Sequence, residues 1–212
     1  MQEKGEGVLV SVAGKSGSGK SEFARQLLQR LGKGETTVTK ISSDDFYKEH
    51  TDIREKELDL EKLQEVIRKL KNGEQVEGYE PGQVIIVEGL QTIEDSVLGQ
   101  KPDFRSHIET DFSQRMGRRL VRDAKDGFRT VRESLTLLLN ASVKNPEIIK
   151  KFEQTPDMSG VDLQVENDFQ DPAVPEIKIE NNKLTFSVGG SIQESIDVTP
   201  EQVEALARIG FK

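Results

Sequence analysis

Eight residues constrain this chain more than any others. Gly14-Lys15-Ser16-Gly17-Ser18-Gly19-Lys20-Ser21 fits G-x-x-x-x-G-K-[ST], the P-loop pattern. A loop this rich in glycine turns successive backbone N–H groups inward around a phosphate, and Gly14, Gly17 and Gly19 supply conformations a side chain would obstruct. The amides of Ser16 and Ser18 belong to the same cradle. The pattern implies that Lys20 reaches the β- and γ-phosphates of a nucleoside triphosphate and that the Ser21 hydroxyl sits on Mg²⁺.

The flanks agree with that reading. Val8-Leu9-Val10-Ser11-Val12-Ala13 is an apolar run of strand length. Phe23, Ala24, Leu27, Leu28 and Leu31 recur at helical spacing, and Gly32 is read as the C′ glycine that stops the helix. Strand, loop and helix therefore fall in the order a phosphate at a helix N-terminus requires.

The rest of the chain repeats the alternation. Glu35 to Ser42 reads as a strand ending in Ser43-Asp44-Asp45-Phe46-Tyr47-Lys48. A helix follows from Leu60 to about Lys71, with Asp59 as N-cap and Asn72-Gly73 as stop. Val84 to Val87 is a strand covered on both faces, followed by Glu88-Gly89-Leu90. Ser106 to Thr110 is a candidate fourth strand that Arg105 and His107 weaken, and Val161 to Val165 a last one. Asp111 opens a helix whose Arg115, Arg118, Arg119 and Arg122 form one stripe, with Phe112, Met116 and Leu120 on the packed face. Further helices are expected from Val131 through Leu139 and from Pro146 to Phe152. Asp171-Pro172-Ala173-Val174-Pro175 reads as a linker. Beyond it, Ile177 and Ile179, then Leu184, Phe186 and Val188, alternate around Asn181-Asn182 as a hairpin. Thr199-Pro200-Glu201-Gln202 starts a last helix.

These elements imply an α/β P-loop NTPase fold, a mostly parallel sheet with helices on both faces, plus a small C-terminal hairpin and helix. The expected division is a P-loop domain over 1–170 and an appendage over 171–212. The 212 residues carry a net charge of −8 and no Cys. That balance argues against nucleic-acid binding by the whole surface, and the missing cysteines exclude thiolate metal sites and disulfides. The polar start and the lack of a run near the ~20 apolar residues of a membrane span lead us to expect a cytoplasmic chain with no membrane partner.

Four stretches together resemble the uridine kinase and phosphoribulokinase family of P-loop kinases. They are Gly14 to Ser21, Ser43-Asp44-Asp45-Phe46-Tyr47, Val87-Glu88-Gly89-Leu90 and Arg118-Arg119-Leu120-Val121-Arg122-Asp123, and their order and spacing match from about Val8 to Asn167. The resemblance implies ATP- and Mg²⁺-dependent phosphorylation of a hydroxyl on a small molecule, typically the 5′-hydroxyl of a nucleoside. Asp44 matches the family aspartate that takes the proton of that hydroxyl. Asp45 is its neighbour, but on extended backbone successive residues point opposite ways, so only one is expected to face the phosphates. Glu88 matches the family glutamate near Mg²⁺ and the substrate hydroxyls, while Tyr47 and Tyr79 match positions that contact the nucleobase or ribose.

Six of the 12 arginines fall in 18 residues of an acidic chain. Arg119, Arg122 and Arg129 match family lid arginines that clamp ATP phosphates and stabilise the transferring phosphoryl group; Arg122 also reaches the substrate. Their planar forks suit phosphate better than lysine does. Arg115 and Arg132 are read instead as a solvated helix face paired with Asp123, Asp126 and Glu133.

The chain departs from the family in two places. No His-Pro-Asp core stands between Tyr47 and the next helix, and Tyr79-Glu80-Pro81-Gly82 leads almost directly into the strand at Val84 where relatives carry a long hairpin. The phosphate machinery is present while the nucleobase pocket is shortened or replaced. Nicotinamide riboside kinases, whose D-D-F-[FY]-K stretch resembles Asp44 to Lys48, are the alternative within the same chemistry. A nucleotide-binding module without catalysis is the alternative from another class. The apolar tail needs a partner surface, either its own domain or the same tail in a homo-oligomer.

Overall fold

The computed structural model describes residues 6–48, 57–144, 156–167, 175–208 and 211. Two expected features, the helix from Pro146 to Phe152 and most of the linker at 171–175, lie outside them. The chain forms two compact units, one of residues 1–109 and 159–167, the other of residues 110–158 and 168–212.

The first unit is built on a five-stranded sheet in the order β2-β3-β1-β4-β5. Its strands are β1 (Val8–Gly14), β2 (Val38–Ser42), β3 (Val84–Gly89), β4 (Phe104–Glu109) and β5 (Leu163–Glu166). Every pairing is parallel. Parallel neighbours need long crossovers, which α1 (Lys20–Leu31), α2 (Leu60–Lys71) and the short α3 (Asp95–Leu98) supply. Leu9, Ile41, Ile85 and Val87 pack against Leu63, Ile67 and Leu70 of α2 and Leu98 of α3. Val10, Val12, Ile86 and Ile108 share a second cluster with Ala24 of α1. Neighbouring positions of one strand thus feed opposite clusters, which is why β1 and β3 read as unbroken apolar runs.

Local chemistry sets the boundaries. The Asp59 carboxylate accepts from the Lys62 amide at 3.1 Å and caps α2. Gly32 departs from the expectation, because at φ −76° it is an ordinary C-cap and not a left-handed C′ residue. The polar residues that weaken β4 as a strand are accommodated inside the unit. Arg105 is bonded to Asp95 and, at 3.3 Å, to the Gly160 carbonyl, and the Ser106 hydroxyl donates to the Ser11 carbonyl at 2.9 Å.

The second unit holds α4 (Phe112–Lys125), α5 (Val131–Lys144), β6 (Glu176–Glu180), β7 (Lys183–Val188), β8 (Ser191–Asp197) and α6 (Pro200–Arg208). The expected hairpin is present, with Asn181 at φ 51° and Asn182 at φ 56° making the turn between β6 and β7. A third strand, β8, extends it to an antiparallel sheet through a second turn at Gly189-Gly190. The Thr199 amide donates to Gln202 at 2.8 Å and the Gln202 amide donates back to the Thr199 hydroxyl at 3.3 Å, a reciprocal cap on α6.

Ile177, Leu184, Phe186, Leu206 and Phe211 form one core with Leu120 of α4 and Leu135 and Leu139 of α5. The surface the apolar tail needs is therefore the pair of helices after residue 110. Contact between them is close: a Cβ at Gly117 would lie 2.4 Å from the Pro175 carbonyl oxygen. The compact units part after Glu109, with residues 159–167 returning to the first.

Candidate active site

The glycine-rich loop leaves β1 at Gly14 and enters α1 at Lys20. A Cβ at Gly14 would meet the Ile108 carbonyl oxygen at 2.7 Å and the Ser18 hydroxyl at 2.6 Å. The loop folds back against β4 with no room for a side chain there. Gly17 at φ 82° and Gly19 at φ 92° hold the left-handed backbone that the turn demands. Gly19 is also the N-cap of α1, and no side chain caps that end. The first amides of a twelve-residue helix and its positive pole are thus offered to an anion. The Asn167 amide group, just past β5, donates to the Ser18 carbonyl at 2.7 Å and ties the loop to the far edge strand.

Three carboxylates stand at or just past the ends of the strands on one side of that loop. β2 runs directly into a one-turn 3-10 helix, Ser43–Phe46, which carries Asp44 and Asp45, both exposed. Glu88 lies near the end of β3 at 3% exposure, with the Lys40 ammonium 3.7 Å from its carboxylate. Gly89 makes the approach of these two segments possible, since a Cβ there would fall 2.0 Å from the Ser43 hydroxyl.

The backbone argument separating Asp44 from Asp45 requires correction. The pair sits on a 3-10 turn, where successive side chains differ by about 120° rather than alternating. Asp45 accepts from the Tyr79 hydroxyl at 3.4 Å. Burial raises the pKa of the Tyr47 phenol, with the Asp44 charge adding to it. Burial likewise raises Tyr79, helped by the charge of Asp45 and by their hydrogen bond. Tyr79 thus pairs with Asp45 through a hydrogen bond, while Tyr47 feels Asp44 through its charge. The Tyr79 ring stacks on Phe46 at 6.4 Å between centroids.

The arginines belong to the second unit. Arg119, Arg122 and Arg129 are exposed, and the nearest acid to Arg122 is Asp123 at 3.4 Å. Gly127, at φ 74° with open space around it, forms the turn after α4, and Phe128 beside it is 74% exposed. The expected stripe of four arginines is divided. Arg115 is buried at 4% exposure, where its Nε donates to the Thr110 carbonyl at 3.0 Å and its guanidinium lies 5.3 Å from the Phe112 ring centre. It is a core residue and not part of a solvated face. Arg132 is on the surface as expected, paired with Glu194 at 2.8 Å.

Among the described residues no cluster of three or more His, Asp or Glu could cage a metal. Lys40 and Asn167, which touch Glu88 and the loop, are residues that the sequence reading missed. Neither stands in a motif, and only the strand order shows that Asn167 meets a loop 149 positions earlier.

Comparison with known proteins agrees with this architecture. A family profile described as an AAA domain matches residues 10–135. The uridine kinase of Oceanobacillus iheyensis is 32% identical over 151 residues, covering 58% of this chain and 71% of that one. The uridine kinase of Staphylococcus aureus is 26% identical over 225 residues, covering 93% and 96%. A solved structure of a candidate fructose transport system kinase from Silicibacter sp. has a TM-score of 0.51 at 17% identity, covering 77% of this chain and 92% of that one, a likeness of fold.

Proposed function

This chain belongs to the uridine kinase and phosphoribulokinase family of P-loop kinases, and we propose that it transfers the γ-phosphoryl group of ATP, with Mg²⁺, to a hydroxyl of a nucleoside-like small molecule. One observation carries the reading: the open loop after β1 shares the carboxyl ends of one sheet with Asp44 after β2 and Glu88 at the end of β3. A nucleotide-binding module needs the loop alone. A phosphotransferase also needs a carboxylate to receive the acceptor's proton and a second to hold its hydroxyls.

In this reading the amides from Gly14 to Gly19, Ser16 and Ser18 among them, hold the phosphates, with Arg129 as a further phosphate contact. Ser21 and Glu88 would hold Mg²⁺, which would neutralise charge on the phosphate oxygens. Lys20, Arg119 and Arg122 stabilise the charge that develops on the transferring group. Asp44 accepts the proton of the attacking hydroxyl, so the O–H bond breaks as the new P–O bond forms and ADP leaves. Tyr47, Tyr79, Glu88 and Arg122 orient the acceptor. The test is ADP release with uridine, cytidine, nicotinamide riboside and no acceptor. Acceptor-dependent ADP supports the kinase. Equal ADP without any acceptor makes the protein an NTPase, and Mg·ATP binding without turnover makes it a binding module.

A further inference from the structure

The second unit contains a cavity of about 300 Å³ between α4 and α5. Its walls are apolar, with Met116 and Leu120 from one helix and Leu138 and Ala141 from the other. Ser134 lines the same cavity at 8% exposure, and its buried hydroxyl has no hydrogen-bond partner among the described residues. A buried hydroxyl facing an apolar wall with nothing to bond is destabilising. It is satisfied if an occupant brings a polar atom to it. Arg119 and Arg129, both exposed, also line the cavity. The one acid lining it, Asp123, already has the Arg122 guanidinium at 3.4 Å, which offsets its repulsion of an anion.

An apolar slot, one buried hydrogen-bonding group and two guanidiniums specify an amphipathic anion. We infer that the cavity between α4 and α5 is a binding site for a small aromatic or aliphatic molecule carrying a single phosphate or carboxylate. The apolar body lies between Met116 and Leu138, a polar atom of that body meets the Ser134 hydroxyl, and the anion takes Arg119 and Arg129. The volume matches the lower end of ordinary ligand pockets, roughly 300–1,000 Å³. The same two arginines are assigned to ATP phosphates above, and the following test reads binding directly, so it stands or falls independently of turnover.

1-Naphthyl phosphate is the probe, titrated against the full chain and followed by its own fluorescence. The Lys20→Ala variant is titrated in parallel, because the P-loop is the other phosphate site. Binding should survive in Lys20→Ala, weaken about tenfold in Ala141→Phe, which fills the slot, and weaken about fivefold in Ser134→Ala. Arg119→Ala should weaken naphthyl phosphate while leaving any binding of uncharged 1-naphthol unchanged. Methyl resonances of Met116 and Ala141 in the unmodified protein provide a readout that does not rely on a variant folding, and they should shift on titration. Binding abolished by Lys20→Ala, or resonances of Met116 and Ala141 that do not move at saturating probe, would overturn the site.

Discussion

Lys20 stands at the first turn of α1, beside the left-handed Gly19, where its ammonium adds a mobile charge to the fixed amides of the loop. Lys20→Ala should lower turnover by about 10²–10³ while the melting temperature holds, since no core contact is lost. Unaltered turnover in a folded Lys20→Ala would remove the P-loop from the mechanism. Asp44→Asn keeps shape but cannot accept a proton, so kcat should fall by about 10²–10⁴ with ATP affinity nearly constant. Asp45→Asn should be mild by comparison, because its Tyr79 contact at 3.4 Å is long and exposed. The opposite ranking in steady-state kinetics would transfer the base to Asp45. His107 gives the pH dependence. Burial pushes its imidazole below the usual 6.5, the nearby Glu109 charge opposes this, and Lys15 adds to it. Folding therefore disfavours the protonated form, so the unfolded chain binds the proton better and stability rises with pH through the interval below about 6.5. The contribution is fully present above that value and is lost as pH falls through the lower folded value. Between about pH 7.5 and about pH 5.5 the melting temperature should drop, and the drop should be smaller in His107→Gln.

At the scale of elements, the arginine helix and its following turn are the segment expected to change on binding. A Cβ at Gly127 would meet no atom within 4 Å and Phe128 is 74% exposed, so little side-chain packing holds this turn. Hydrogen exchange over Arg119 to Thr130 should be fast in the free protein and slow when an ATP analogue and acceptor are added. Equal and high protection in both states would make these arginines structural. The elements also show what could be read beforehand. Strand, loop and first helix were legible because a glycine motif and period-2 and period-3.6 apolar patterns coincide there. The Asn181-Asn182 turn was legible because those residues favour positive φ. β8 was not: Glu194 stands between Ile192 and Ile196 where the alternation needs an apolar residue, and only Gly189-Gly190 marked its start. The fate of Arg115 was hidden for a similar reason, since spacing places a residue on a helix face but does not say what covers that face. The 3-10 turn at Asp44 was hidden because four residues are too few to show a period.

For the whole molecule, the apolar tail is half of a core. Ile177, Leu184, Phe186, Val198, Leu206 and Phe211 are each at most 6% exposed, against α4 and α5. At roughly 1.5–3 kcal/mol for each buried side chain, their loss removes on the order of 10 kcal/mol, as much as an ordinary domain's whole stability of about 5–15. Truncation after Asp171 should therefore melt α4 and α5, seen as lost helical circular dichroism and rapid proteolysis after Arg119 and Arg122, and abolish phosphoryl transfer. A truncated protein that stays helical and active, with only its oligomeric mass reduced, would mean that the tail serves assembly instead. Asn167 has a different consequence, one that concerns synthesis. On the ribosome the P-loop emerges early, but the amide that fastens Ser18 is translated 149 codons later, after α4 and α5 have been translated and before their sheet. Until then β4 is an open sheet edge that another nascent chain could pair with, and the loop lacks its clasp. A nascent chain stalled before β5 should therefore be the form of this protein that most needs a chaperone, with nucleotide affinity arriving late in translation.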